Sequence, residues 1–194
     1  MKLYYSPGAC SLADHIALHE AGLAFDLVKV DLKAKTVEGG DDYKAVNPKG
    51  YVPALQFDDG AVLTENIAIL AWAARQGAGA TPAGELGPFR LLEALGYIST
   101  ELHKAFKPLF TPGATEDAKA QAKVQIGQKL GFLAGRLEGD YLLGQASVAD
   151  AYLFVMLRWA RANGIEPPPP LPAYFDRMKG RPAVAAALKH EGLA

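Results

Sequence analysis

The chain has 194 residues, half of them hydrophobic and 21% charged, an ordinary globular composition with room for one large domain or two small ones. Its formal net charge of -1 gives no bulk electrostatic reason to bind nucleic acid or an anionic membrane, and no like-charge block offers an interaction arm. One cysteine excludes an intramolecular disulfide, and no stretch approaches the roughly 18 uninterrupted apolar residues of a spanning helix.

Met1 to Pro7 carries one positive charge and too short an apolar run for a signal peptide, so the cytoplasm is the expected compartment. Lys2 to Tyr5 reads as a short strand closed by Pro7-Gly8. Ser11 to Ala21 has helical spacing, with Leu12 and Ile16 facing a core and Gly22 as its stop. Phe25 to Val30 alternates as a half-buried strand. A polar stretch follows, with a short helix near Asp41 to Val46. Asn47-Pro48-Lys49-Gly50 is a turn leading into a strand over Val52 to Phe57, and Asp58-Asp59-Gly60 turns it back along Ala61 to Leu63. Thr64 is placed to cap a helix running to about Arg75, with Ile67, Leu70 and Ala71 on its apolar face.

This mixture of strands and helices predicts a small α/β domain over residues 1–77. Residues 78–88, rich in Gly, Ala and Pro, read as a linker, and residues 89–194 as an all-helical domain. The expected helices are Phe89 to Lys107, Glu116 to Leu137 with Val124, Leu130 and Leu133 inward, and Ser147 to Ala162. After the rigid run Pro167 to Pro170, short helices follow over Leu171 to Lys179 and Pro182 to His190.

Four features could carry chemistry. Cys10 follows a strand and begins a helix, where the helix dipole and unpaired N–H groups favour a thiolate; the bland alternative is a buried cysteine acting as a small hydrophobe. Val52-Pro53 places a proline at a strand start. A cis peptide there would leave the Val52 backbone free to pair with an extended ligand, although most such bonds are trans. In Thr64-Glu65-Asn66 the start of a helix can hold a carboxylate and Glu65 a ligand ammonium; plain helix capping is the competing reading. His103-Lys104 lies on a helix of the second part, where a histidine could serve a nearby thiol. His15, His19 and His190 have weaker claims, and the four histidines and one cysteine show no metal-ligand spacing, so no metal is expected. Ser147-Val148-Ala149-Asp150 has the form of a capping box with Asp in the usual place of Glu, a folding device.

Taken in order, Tyr4-Tyr5-Ser6-Pro7-Gly8-Ala9-Cys10-Ser11-Leu12, Asn47-Pro48-Lys49-Gly50-Tyr51-Val52-Pro53-Ala54-Leu55, Leu63-Thr64-Glu65-Asn66-Ile67-Ala68-Ile69, Glu101-Leu102-His103-Lys104 and Ser147-Val148-Ala149-Asp150-Ala151-Tyr152 resemble the bacterial beta-class glutathione transferases. The resemblance spans nearly the whole chain. It implies a thioredoxin-like N-terminal domain, an all-α C-terminal domain, a homodimer, and glutathione as co-substrate without a metal. It also implies that Val52, before a cis Pro53, pairs with the cysteinyl part of the tripeptide. Glu65 and Asn66 would hold its γ-glutamyl end and Lys35 its glycyl carboxylate. Cys10 would approach the glutathione sulfur, with Ser11, His103 and Lys104 nearby, and Ala9 is a further glutathione-binding candidate; Cys10, Ser11 and His103 are the catalytic candidates. One departure is Gly96, seven residues before His103, where family members often carry a glutathione-binding asparagine.

The leading expectation is addition of the glutathione thiolate to hydrophobic electrophiles, with Phe106, Phe110, Tyr152 and Trp159 as candidate walls for each of which packing in the core is the favoured reading. A second enzymatic reading is monothiol disulfide exchange through Cys10, since no Cys-X-X-Cys is present. A third is a carrier of hydrophobic ligands, or a protein acting through a partner; a glutathione site argues against the latter.

Overall fold

A computed structural model describes residues 1–194. Five strands form one sheet in the order β3-β2-β1-β4-β5: β1 (Lys2–Tyr5), β2 (Asp26–Asp31), β3 (Thr36–Val37), β4 (Ala54–Gln56) and β5 (Val62–Thr64). β1 and β2 run parallel, joined through helix α1 (Ser11–Glu20), and the other pairs are antiparallel. A parallel pair needs such a crossover, whereas Asp58-Asp59-Gly60 suffices to return β4 as β5. Helix α2 (Asn66–Arg75) closes this thioredoxin-like unit.

Side chains alternate across β1: Leu3 and Tyr5 join Leu18, Leu55 and Ile69 on one face, while Tyr4 joins Val30, Tyr43, Val52 and Ala54 on the other. The all-helical remainder comprises α3 (Gly87–Tyr97), a π-helical segment (Ile98–His103), α4 (Lys107–Phe110), α5 (Glu116–Ala134), α6 (Val148–Ala162), α7 (Leu171–Lys179) and α8 (Pro182–His190). Helix α6 is buried at every position from Val148 to Leu157, as a helix at the centre of a domain should be. Its apolar surface meets Leu12, Ala13 and Ile16 of α1 and Leu70 and Ala73 of α2, so one continuous core joins the two parts.

Several expectations change. Strand β3 was unforeseen, because two residues at a sheet edge carry no periodic signal. Near Asp41 to Val46 only a 3-10 turn forms, Tyr43–Ala45, capped by the Asp42 carboxylate on the Lys44 N–H. Thr64 does not cap α2: it ends β5, and Glu65 takes the N-cap position at φ 77° with no side-chain cap. Ile69, Leu70 and Ala73 form the buried face of α2, while Ile67 and Ala71 are only half buried.

The helix expected from Phe89 to Lys107 is not continuous. It starts at Gly87, inside the stretch read as a linker, widens to π geometry at Ile98, and is interrupted before α4. Pro108 cannot donate an N–H and would clash with the preceding turn, so the helix must restart there. In α5 the inward positions are Ala122, Ile126, Leu130 and Leu133, which puts Val124 on the outer face, 62% exposed. Two glycines make close approaches: a Cβ at Gly79 would lie 2.6 Å from the Ala146 carbonyl oxygen, and one at Gly87 would overlap the Pro82 carbonyl oxygen. No helix is long and apolar enough to cross a membrane.

Candidate active site

Cys10, Val52, Pro53, Glu65, Asn66 and His103 meet at one cleft of about 460 Å³ between the sheet domain and the helices. Its remaining walls include Tyr51, Ile67, Leu92, Ser99 and Tyr152. Cys10 is the residue before α1, half-buried, with Sγ 3.6 Å from the Val52 carbonyl oxygen, to which the thiol donates. The Val52-Pro53 bond is cis, and the Val52 N–H has no partner within the chain.

The electrostatics of Cys10 reverse the expectation from helix position. Burial pushes the thiol up to about 12; a nearby Asp14 adds to this, and the N–H groups of Cys10 and Ser11 offset only part of it. Asp14 is itself fully buried, which raises its own carboxyl well above the usual range and weakens the charge it presents. Desolvation therefore outweighs the helix terminus, and the resting residue is a thiol.

The start of α2 faces the same cleft. Its first N–H groups have no side-chain cap, and Ile67 and Ala68 line the cavity. The left-handed φ of Glu65 is an uncommon backbone state for a residue with a side chain, costing about 1–3 kcal/mol. Its carboxylate is held by the Tyr51 hydroxyl at 2.7 Å and by the Lys49 ammonium, and these two donors keep its pKa below the ordinary glutamate value. Lys49 also donates to the Thr64 hydroxyl at 2.8 Å. Neither Lys49 nor Tyr51 was singled out from the sequence as a site residue; both lie in the turn before Val52, which was the available signal.

Asn66 faces inward. Its buried amide donates to the Cys10 carbonyl and to Asp14 Oδ2, each at 3.0 Å, tying the starts of α1 and α2 together. His103, in the π segment, lies 2.6 Å by Nδ1 from the Tyr152 hydroxyl and meets the Trp159 ring edge-on at 4.9 Å. Burial, assisted by the Lys104 charge, lowers its pKa to about 4, so at neutral pH it is an uncharged imidazole. Trp159 also donates from Nε1 to the Gly8 carbonyl at 2.8 Å, so α6 positions both the histidine and the turn before Cys10.

The other sequence candidates lie outside the lining. Ser11 is fully buried, its hydroxyl exchanging bonds with the backbone of Ser6 at 3.3 and 3.4 Å, so it does not face the cleft. Lys35 donates to the Gly50 carbonyl at 2.7 Å, Lys104 is exposed, and Ala9 is half-buried beside the Tyr4 face of the sheet. Of the candidate walls, Phe106 is core, Phe110 is exposed, and Tyr152 alone reaches the cleft lining. Gly96 has open space about its α-carbon. A larger hollow of about 610 Å³ lies on another face of α3, lined by Arg90, Glu93, Tyr97, Phe132 and Arg136, and contains none of these groups.

Family models for the glutathione S-transferase N-terminal domain and C-terminal domain match residues 9–76 and 116–190. The chain belongs to the glutathione S-transferase family. It is 47% identical over 205 residues to glutathione S-transferase GstA of Escherichia coli O157:H7, covering all of both chains. Among solved structures, a bacterial beta-class glutathione S-transferase of Sphingomonas chungbukensis is 50% identical with a TM-score of 0.93. A sphingomonad glutathione S-transferase complexed with glutathione is 49% identical with a TM-score of 0.92; both are covered over their full length. The fold and transferase class implied by the sequence resemblance hold.

Proposed function

We propose that this glutathione transferase holds the tripeptide along the cleft and adds its thiolate to a hydrophobic electrophile. The observation that carries the reading is the convergence of an unpartnered Val52 N–H, the uncapped start of α2 and the Cys10 thiol on one cavity. An extended peptide would pair with the Val52 backbone in the manner of an added strand. The γ-glutamyl carboxylate would meet the N–H groups at the start of α2, and its ammonium would meet Glu65, with Asn66 holding that helix start in place. Ala9, Lys35 and Lys104 complete the proposed surroundings, with Lys35 providing positive charge toward the glycyl carboxylate and Lys104 near the sulfur.

In this reading a neutral Cys10 is an asset. An un-ionised thiol, turned from the Val52 carbonyl, would donate its one hydrogen bond to the incoming sulfur and favour its thiolate form, and the N–H groups at the start of α1 add to this. His103, held by Tyr152 and Trp159, offers its remaining nitrogen from the helical side. Leu92, Ser99 and Tyr152 would face the electrophile. Disulfide exchange through Cys10 is disfavoured, because it requires the thiolate that burial opposes.

The division into residues 1–77 and 89–194 accompanies this reading, as do a cytoplasmic setting and a homodimer. The exposed Leu86, just before α3, and Phe89 on α3, with Val62 on β5, offer apolar surface for a second copy. The test compares wild type with Cys10→Ala on a nitro-activated aryl halide and on a glutathione mixed disulfide. Conjugation that falls in Cys10→Ala while glutathione still binds supports the proposal, and loss of disulfide reduction alone would favour exchange through Cys10 instead. Absence of glutathione binding and of turnover in the wild type would sink it.

A further inference from the structure

Helices α1 and α8 lie side by side away from the cleft, and three of the four histidines meet between them. His15 and His19 are four residues apart on α1, hence on one helix face, and His190 is the last residue of α8. Ring centroids are separated by 5.0 Å for His15 and His19, 5.7 Å for His15 and His190, and 5.2 Å for His19 and His190. One ring nitrogen of each lies within 4.8 Å of one from both others. Phe25 closes the apolar side, edge-on to both His15 and His19.

The hydrogen bonding of this group is incomplete. His15 is fully buried, and its Nδ1 is 2.9 Å from Glu191 Oε1. The carboxylate fixes the imidazole tautomer with its proton on Nδ1, which leaves the Nε2 lone pair exposed to whatever lies beyond. That Nε2 has no partner, and neither does the buried Nε2 of His19. Two orphaned imidazole nitrogens beside a third, exposed imidazole are hard to explain as packing, since each buried acceptor forgoes a bond that water would have supplied.

The geometry points to a binding site for a divalent late transition-metal ion, with Zn2+ as the reference, formed by His15, His19 and His190. Three imidazoles with an open fourth position suit this class of ion, and a carboxylate behind one histidine is the usual outer support of such a site. Bonds of 2.0–2.1 Å to a tetrahedral ion set its nitrogens about 3.4 Å apart. The group must therefore contract from separations of up to 4.8 Å, and exposed His190 supplies the movement by changing rotamer. The ion would join α1 to α8. Through Glu191, whose Oε2 accepts the Gly8 N–H at 2.8 Å, it would brace the turn before Cys10. Sequence spacing hides this site, because its third member comes from the far end of the chain.

The test is calorimetric titration of the metal-stripped chain with zinc chloride, for wild type, His190→Gln, His19→Gln, Glu191→Gln and Cys10→Ala. The expected result is one ion per chain with release of protons, and a rise in unfolding temperature with added zinc. His190→Gln, at an exposed position that leaves folding intact, should weaken binding about 10–100-fold or more, and Glu191→Gln about 10–100-fold. Cys10→Ala should bind as wild type does. No binding to the wild type, or equal binding by His190→Gln, overturns the proposal; so does loss of binding in Cys10→Ala alone, which would put the ion on the thiol.

Discussion

Asp150→Ala removes one side chain on which the start of α6 depends. Oδ1 accepts the Leu142 N–H and the Tyr174 hydroxyl, each at 2.9 Å, and Oδ2 accepts the Ser147 N–H and hydroxyl, each at 2.8 Å. After truncation the Ser147 hydroxyl can rotate, and Tyr174 keeps its bond to the Asp150 carbonyl at 3.2 Å. The N–H groups of Leu142 and Ser147 cannot be served so easily. Two buried donors without partners cost about 1–3 kcal/mol each. Removing a carboxylate whose burial is itself costly returns part of that. The expected net loss is about 3 kcal/mol, above the roughly 1 kcal/mol of an exposed N-cap. For a chain of this size that corresponds to a fall of about 6–12 °C in Tm. Urea unfolding at constant protein concentration measures it, and the fraction that remains folded should keep its activity, because Tyr152 and Trp159 hold the site only while α6 is formed. A loss under about 1 kcal/mol would show that water or backbone movement satisfies the two donors, and the account of α6 would fail.

Glu65→Gln should raise KM for glutathione roughly fivefold, equivalent to about 1 kcal/mol for a half-exposed ion pair, with kcat little changed; an unchanged KM would remove Glu65 from the site. Alkylation of Cys10 in the ligand-free chain should climb with pH without levelling off near neutrality. A thiol moved from 9.0 to about 12 has roughly a thousandfold less thiolate. Its greater nucleophilicity returns about twentyfold, so labelling near neutral pH should run about fiftyfold slower than for an exposed cysteine. A plateau near pH 7 would mean that the helix terminus prevails over burial. His103 takes up a proton in the unfolded chain below its ordinary 6.5 but in the folded chain only near 4. It therefore destabilises the fold progressively as pH falls from 6.5 toward 4. Urea midpoints across that range should fall less steeply in His103→Gln than in wild type, and identical slopes would contradict the buried, neutral imidazole.

The local devices were legible in the residues. Gly8, Gly22 and Gly60 mark turns, β1, β2 and the β4–β5 hairpin show their alternation, and α7 and α8 occupy the expected ranges. The Asp150 cap was legible too, because its partners at Ser147 lie within one helical turn. Cys10, Val52, Glu65 and His103 could be named as site candidates from their residue types and places in the motifs. Their environment could not. The raised thiol of Cys10, the inward commitment of Asn66 and the neutral state of His103 depend on burial by segments far away in the chain.

The same limit explains the errors. Thr64 looked like a cap because capping preference is local, but β5 continues through it and leaves the turn to Glu65. Ser11 was a catalytic candidate through the resemblance, but its hydroxyl folds back onto Ser6. His15, His19 and His190 lie far apart in the sequence or outside any metal-ligand spacing, yet the packing of α8 on α1 brings them together with Glu191 behind. Periodicity, turn chemistry and motif order act over a few residues, so the sequence by itself determined most of the elements and named the candidate groups. Desolvation and long-range hydrogen bonding depend on which elements meet, so only the tertiary structure decided the charge states, the walls of the cleft and the histidine cluster.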